Sequence, residues 1–153
     1  MGGTHTPGGG IAAELRNWAA GTLWARAAVE LLATGARGKL AYLGAPWIER
    51  LGTGPDGKPY AQINPEKLAG GLGGMSSGER FVAKVVANLV DGETPVALAD
   101  IARLDPDQAG LVLGALRLAA GLKPAAGRPG PAMAPVSAFG RQSEPRGATR
   151  IGV

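Results

Sequence analysis

Between Met75 and Leu122 the chain carries its firmest instruction about folding. Ser76 followed three residues later by Glu79 is a capping box. The serine oxygen can accept from a free backbone N–H at a helix start, and the glutamate can reach back to the Ser76 amide. Behind it Phe81, Val82, Val85, Val86, Leu89 and Val90 recur at helical spacing, which gives that helix one apolar face. Asp91-Gly92 then stops it, glycine being the residue that closes a helix in the left-handed conformation. Asp105-Pro106 supplies a second cap and first-turn proline, ahead of Leu111, Val112, Ala115, Leu116 and Leu118, and Gly121 can end that helix. Two punctuated helices with a short element between them define a core and show no chemistry.

Upstream, Ile11, Leu15, Trp18, Leu23, Ala27, Leu31 and Leu32 trace an amphipathic helix, with Arg16, Arg26 and Glu30 left to solvent. Gly21 interrupts the pattern and predicts a bend or a split. Trp18 and Trp24 are the expected aromatic anchors of the core. From Pro46 to Ile63 two short stretches flank Gly54-Pro-Asp-Gly57, the turn chemistry of a β-hairpin with a longer loop, across which Trp47 would meet Tyr60. A hairpin alone is marginal in water, so it must lean on the helices or gain a third strand, for which Thr94 to Leu98 is the candidate. Asn64-Pro65 starts a short helix, and Gly70 to Gly74 is a connector. The fold class that follows is mainly α, of α+β type: a small helical domain with one β-hairpin, a candidate third short strand and a disordered C-terminal tail.

Glycine and proline, 26 and 12 residues, gather at the ends and in the middle connection. They divide the chain into a flexible lead-in over 1–10, a single domain over 11–122 with its hairpin near 46–63, and a Pro/Gly/Ala-rich tail over 123–153. The tail's Pro124, Pro129, Pro131 and Pro135 cannot pack a core, so disorder is expected there. The basic excess also sits in the tail, which carries five Lys/Arg against one acid, whereas residues 77–122 carry four against six. With no cysteine, disulfides, thiolate catalysis and cysteine metal sites are excluded. No apolar run reaches membrane-span length, and the N-terminus lacks the charge and apolar stretch of a signal peptide, so a cytoplasmic protein without a membrane partner is expected.

Ser76 to Arg80 resembles the signature loop of ABC-type ATPases, but that loop works beside a phosphate-binding G-x-x-x-x-G-K-[ST] motif, and the chain has none. The structural cap accounts for it. The order helix, short helix, turn, helix over 77–120 invites a helix-turn-helix reading, with Leu98 to Leu104 as the supporting helix. Gln108 would then read a base and Arg117 would be the lone cation, although Asp105 and Asp107 would face phosphates and repel them. Arg128, Arg141, Arg146 and Arg150 of the tail could hold phosphates without sequence preference. Enzymatic constellations do not assemble: His5 is the single histidine, and no carboxylate pair or metal-ligand spacing accompanies a nucleophile. The expectation is a non-enzymatic protein without cofactor or metal. It would bind a protein partner or a second copy of itself through the last helix, whose Leu111, Leu113 and Leu118 cover more of its circumference than a small core needs. Nucleic-acid binding is the alternative.

The run Ser76-Ser-Gly-Glu-Arg80, with Pro95 to Asp100, Leu104-Asp105, Leu111-Val-Leu-Gly-Ala115 and Ala119-Ala-Gly121, resembles a family of small uncharacterised proteins of actinobacteria and their phages. Members of that family carry S-G-G-E-R-R, G-L-D and L-V-L-x-A…A-A-G segments. Leu15 to Ala19 and Ala27 to Leu32 extend the likeness upstream, so it covers most of residues 13–122. Ser77 stands where the first glycine is usual, Phe81 replaces the second arginine, and the histidine frequent near the last helix is absent. The resemblance implies an actinobacterial or phage setting and supplies no mechanism.

Overall fold

Gly21, with φ +88°, divides the N-terminal apolar stretch into α1 (Gly9–Ala19) and α2 (Leu23–Thr34). The computed structural model describes residues 9–123. His5 and the tail residues Arg128, Arg141, Arg146 and Arg150 lie outside them, as does the expected disordered tail from residue 124 onward. Helix α1 begins before the expected boundary: Gly9 and Gly10 belong to it rather than to the lead-in. A helical amide at residue 13 takes its acceptor from residue 9, so burying Leu15 on a formed turn draws both glycines in.

The organising element is α2, not the C-terminal pair of helices. It buries Ala25, Ala27, Ala28, Val29, Leu31 and Leu32 and packs against α1, α4 (Ser77–Asp91) and α5 (Pro106–Ala119). Its alanines let neighbouring helices approach closely. Just past its end the packing on α4 is tight: a Cβ at Gly35 would lie 2.6 Å from Val82 Cγ1. The chain then makes a left-handed turn at Ala36 (φ 50°) and Arg37 (φ 56°), a conformation that costs roughly 1–2 kcal/mol per non-glycine residue.

The split at Gly21 also overturns the expected role of Trp24, while Trp18 packs half-buried against the core. Trp24 is 45% exposed, and Trp18 is half-buried beneath it in an edge-to-face pair with ring centroids 6.4 Å apart. Once α2 turns Ala25, Ala28 and Leu32 inward, the start of the helix must point outward. The buried tryptophan is Trp47, whose indole N–H donates to the Leu40 carbonyl at 2.8 Å and whose ring meets Tyr42 edge-on.

The hairpin pairs β1 (Ile48–Thr53) antiparallel with β2 (Pro59–Ile63), Ile48 opposite Ile63 and Gly52 opposite Tyr60, with a bulge at Leu51. Trp47 therefore does not face Tyr60. Tyr60 instead donates its hydroxyl to Asp56 in the turn at 2.6 Å. The hairpin leans on α1: Asn17 Nδ2 donates to the Pro59 carbonyl, and Arg50 makes a two-point ion pair with the buried Glu14 at 2.6 and 3.0 Å. The short helix α3 (Pro65–Gly70), capped by Asn64 on the Lys67 amide, links it to α4.

The capping box of α4 is present, with Glu79 N donating to Ser76 Oγ and Ser76 N to Glu79 Oε1. Gly92 closes α4 in the left-handed region. The third strand does not form: the sheet is two-stranded among the described residues. Asp91 accepts from the amides of Glu93 and Thr94 and from the Thr94 hydroxyl, while Asn88 Nδ2 donates to the Thr94 carbonyl. These bonds hold the segment against the end of α4, away from the hairpin. Leu98–Arg103 is a 3-10 turn that buries no residue, and α5 follows it with Asp105 capping the Gln108 amide. Among the described residues no helix is long and apolar enough to cross a membrane.

Candidate functional site

Helix α5 buries little of its apolar circumference. Only Gln108, Val112 and Ala115 are buried. Of the three leucines expected at an interface, Leu113 stands outward at 51% exposure, while Leu111 and Leu118 are half-buried against the edge of the core. Those two are thus core-edge residues first, because the 3.6-residue repeat carries them toward α2 when Val112 and Ala115 point inward. Leu116, which the apolar pattern counted with the core, is exposed. Beside Leu113 lie Gly110 and Gly114, and a Cβ at either would meet nothing within 4 Å.

Where α5 ends, a second apolar group adjoins it. Leu23, 41% exposed at the start of α2, lies beside Gly121, and Trp24 and Leu122 are exposed next to them in the chain. From Gln108 to Leu116 the helix has no charged residue. The surface is therefore apolar and unscreened by charge, with a flat strip at the two glycines and a knob at Leu113. The signals that could have found Gly110, Gly114, Leu23 and Leu122 are the four-residue glycine spacing and the break at Gly21.

The residues proposed for nucleic acid have other work. Gln108 is 9% exposed, and its side-chain oxygen accepts from the Ala36 amide at 2.8 Å. It points inward, away from the outer face on which a base-reading side chain must stand. The left-handed turn explains this, since Ala36 presents a buried amide that needs an acceptor. Arg117 is half-buried and donates twice, at 2.7 and 3.1 Å, to the Lys123 carbonyl just beyond the helix end. Leu98–Arg103, expected as the supporting helix, is a 3-10 turn, and the tail arginines lie outside the described residues.

Several charged groups elsewhere are tied into local structure. Lys39 Nζ sits 2.7 Å from Glu79 Oε2, and this ammonium together with the Ser76 amide holds the Glu79 carboxyl below the usual range. Asn64, Gln62 and Lys67 do the same for Glu49, and the Tyr60 hydroxyl and the Lys58 amide for Asp56. Among the described residues no three His, Asp or Glu side chains are grouped to hold a metal ion. Compared with family models, curated proteins and solved structures, the chain matches none.

Proposed function

We propose that the chain is a non-enzymatic protein-interaction module that pairs with a second copy of itself through the outer face of α5. One observation carries the reading: Gly110 and Gly114 flank the exposed Leu113 on an uncharged helix face, and the fold uses neither glycine. Each costs the helix roughly 1 kcal/mol relative to alanine, and alanine would fit at both positions. Close approach by another helix is the use that such a strip serves. The face is also self-complementary, because Leu113 of one copy fits the strip of the other, as a two-fold contact requires. Leu116 and the Leu23–Trp24 surface extend the apolar area available to the pair. An actinobacterial or phage setting, which the resemblance supports, and a cytoplasmic location, which the lack of cysteines and of a membrane span supports, both belong to the proposal.

Light scattering over a concentration series tests it. The expected mass rises from 15.4 kDa toward twice that value, and Leu113→Glu or Gly114→Leu returns it to the monomer while leaving the thermal melt close to that of the parent. A monomeric mass at every concentration up to about 1 mM, where associations of about 4 kcal/mol still register, removes the self-pairing.

A further inference from the structure

Helix α4 presents a second surface, independent of α5 and of opposite character. A groove of about 340 Å³ runs between α4 and the segment that follows it, with Phe81 and Val96 in its lining and Arg80 and Lys84 along the α4 side. Phe81 is buried and Val96 half-buried, so the floor is apolar and fixed by the core. Arg80 and Lys84 are exposed one turn apart, and neither has a carboxylate within 4 Å among the described residues. Six other cations, Arg16, Arg37, Lys39, Arg50, Lys67 and Arg103, sit in ion pairs, and Arg80 and Lys84 stand together beside an apolar groove with none. The one acid in the lining, Asp100, lies 3.9 Å from Arg103, which offsets its charge. Leu98, just beyond the lining residue Ala97, is 71% exposed.

We infer that this groove docks an acidic amphipathic peptide segment of a partner protein. Its apolar side chain would cover Phe81 and Val96, and two carboxylates about 6 Å apart would meet Arg80 and Lys84, the spacing of one helical turn. Charge complementarity selects this occupant: a basic segment is repelled by the two cations, and an uncharged one leaves both unpaired. The α5 face has no charge to offer such a segment, so the two surfaces do not compete for it.

The test is selection from a random twelve-residue peptide display library on the full chain, run in parallel on the Arg80→Glu/Lys84→Glu variant. Both substitutions are at exposed positions, and a thermal melt confirms that the variant folds. Peptides enriched on the parent chain should carry two or more Asp/Glu around a large apolar residue. They should bind the variant at least tenfold more weakly, lose affinity with added salt and shift amide resonances of Ser77 to Lys84 and Pro95 to Asp100. Leu98→Ala should weaken them severalfold. A pool without acidic bias, affinity unchanged by charge reversal, or resonance shifts confined to α5 would each overturn the inference. So would a single-stranded oligonucleotide that displaces the selected peptides at lower concentration than they bind.

Discussion

Replacing Gln108 by leucine isolates what its side chain does. Leucine is close in volume and is a good helix former, so the packing beneath α5 and the Asp105 cap on the residue-108 amide both survive. What disappears is the acceptor 2.8 Å from the Ala36 amide, in a place where Ala36 is only 1% exposed. An orphaned buried N–H costs about 1–3 kcal/mol, well above the few tenths that leucine's helix propensity returns. The net expectation is a loss of about 2 kcal/mol, or about 8 °C in melting temperature at roughly 4 °C per kcal/mol for a domain of this size. Thermal melts by circular dichroism, with a denaturant series to confirm an unchanged slope, measure it. A melt within about 2 °C of the parent, with the fold intact, refutes the reasoning. Ala36 would then have another partner, and Gln108 would be free to serve a ligand.

Three further outcomes follow from the packing and the charges. Gly35→Ala places a methyl 2.6 Å from Val82 Cγ1 and 3.2 Å from Leu31 Cδ1 and should cost about 1–3 kcal/mol, part of which Val82→Ala restores in the double variant; melts of the three proteins check this. Phe81→Ala should cost about 3 kcal/mol or more because Phe81 is buried, whereas Leu116→Ala should cost under about 1 kcal/mol because Leu116 is exposed; denaturant titration separates them. Glu79 has a folded pKa below its ordinary 4.5, so its contribution is complete above the unfolded value and is lost as pH falls through the folded one. Stability of Glu79→Gln, followed from pH about 6 to about 3, should therefore fall less steeply than that of the parent, and parallel curves would show that the Lys39–Glu79 contact contributes nothing.

What could be read in the residues was what local chemistry decides. The Ser76–Glu79 box, the Asn64 and Asp105 caps, the Gly92 stop and the Pro-Asp-Gly turn each act within a few residues, and each stands where the sequence predicts it. The third strand is replaced by a local motif whose signal was missed: Asp91 and Asn88 bind Thr94 back onto the end of α4. The central place of α2 was hidden by alanine, a residue whose small contribution to an apolar pattern conceals how closely it lets helices pack. Ala36 and Arg37 carry no mark of a positive φ, so the turn that they make, and the inward Gln108 that depends on it, were not legible. In α5 the leucine spacing revealed an apolar helix but not which side another element covers. That side is set by Val112 and Ala115 against α2, and it leaves Leu113 outside.

Helix α5 is held to the rest of the chain by three buried side chains, one of them polar, with Leu111, Leu118 and Ala119 half-buried beside them. When it lifts away, the Ala36 amide meets water and the left-handed turn can relax, so part of the cost of detachment is returned at once. The helix should behave as a separate cooperative unit, opening and closing while α2 and α4 stay packed. Its amides would exchange with solvent hydrogen faster than those of α4, through an opening less costly than global unfolding. Anything that grips its outer face slows that exchange, so the protection of α5 becomes a gauge of whether the surface is occupied.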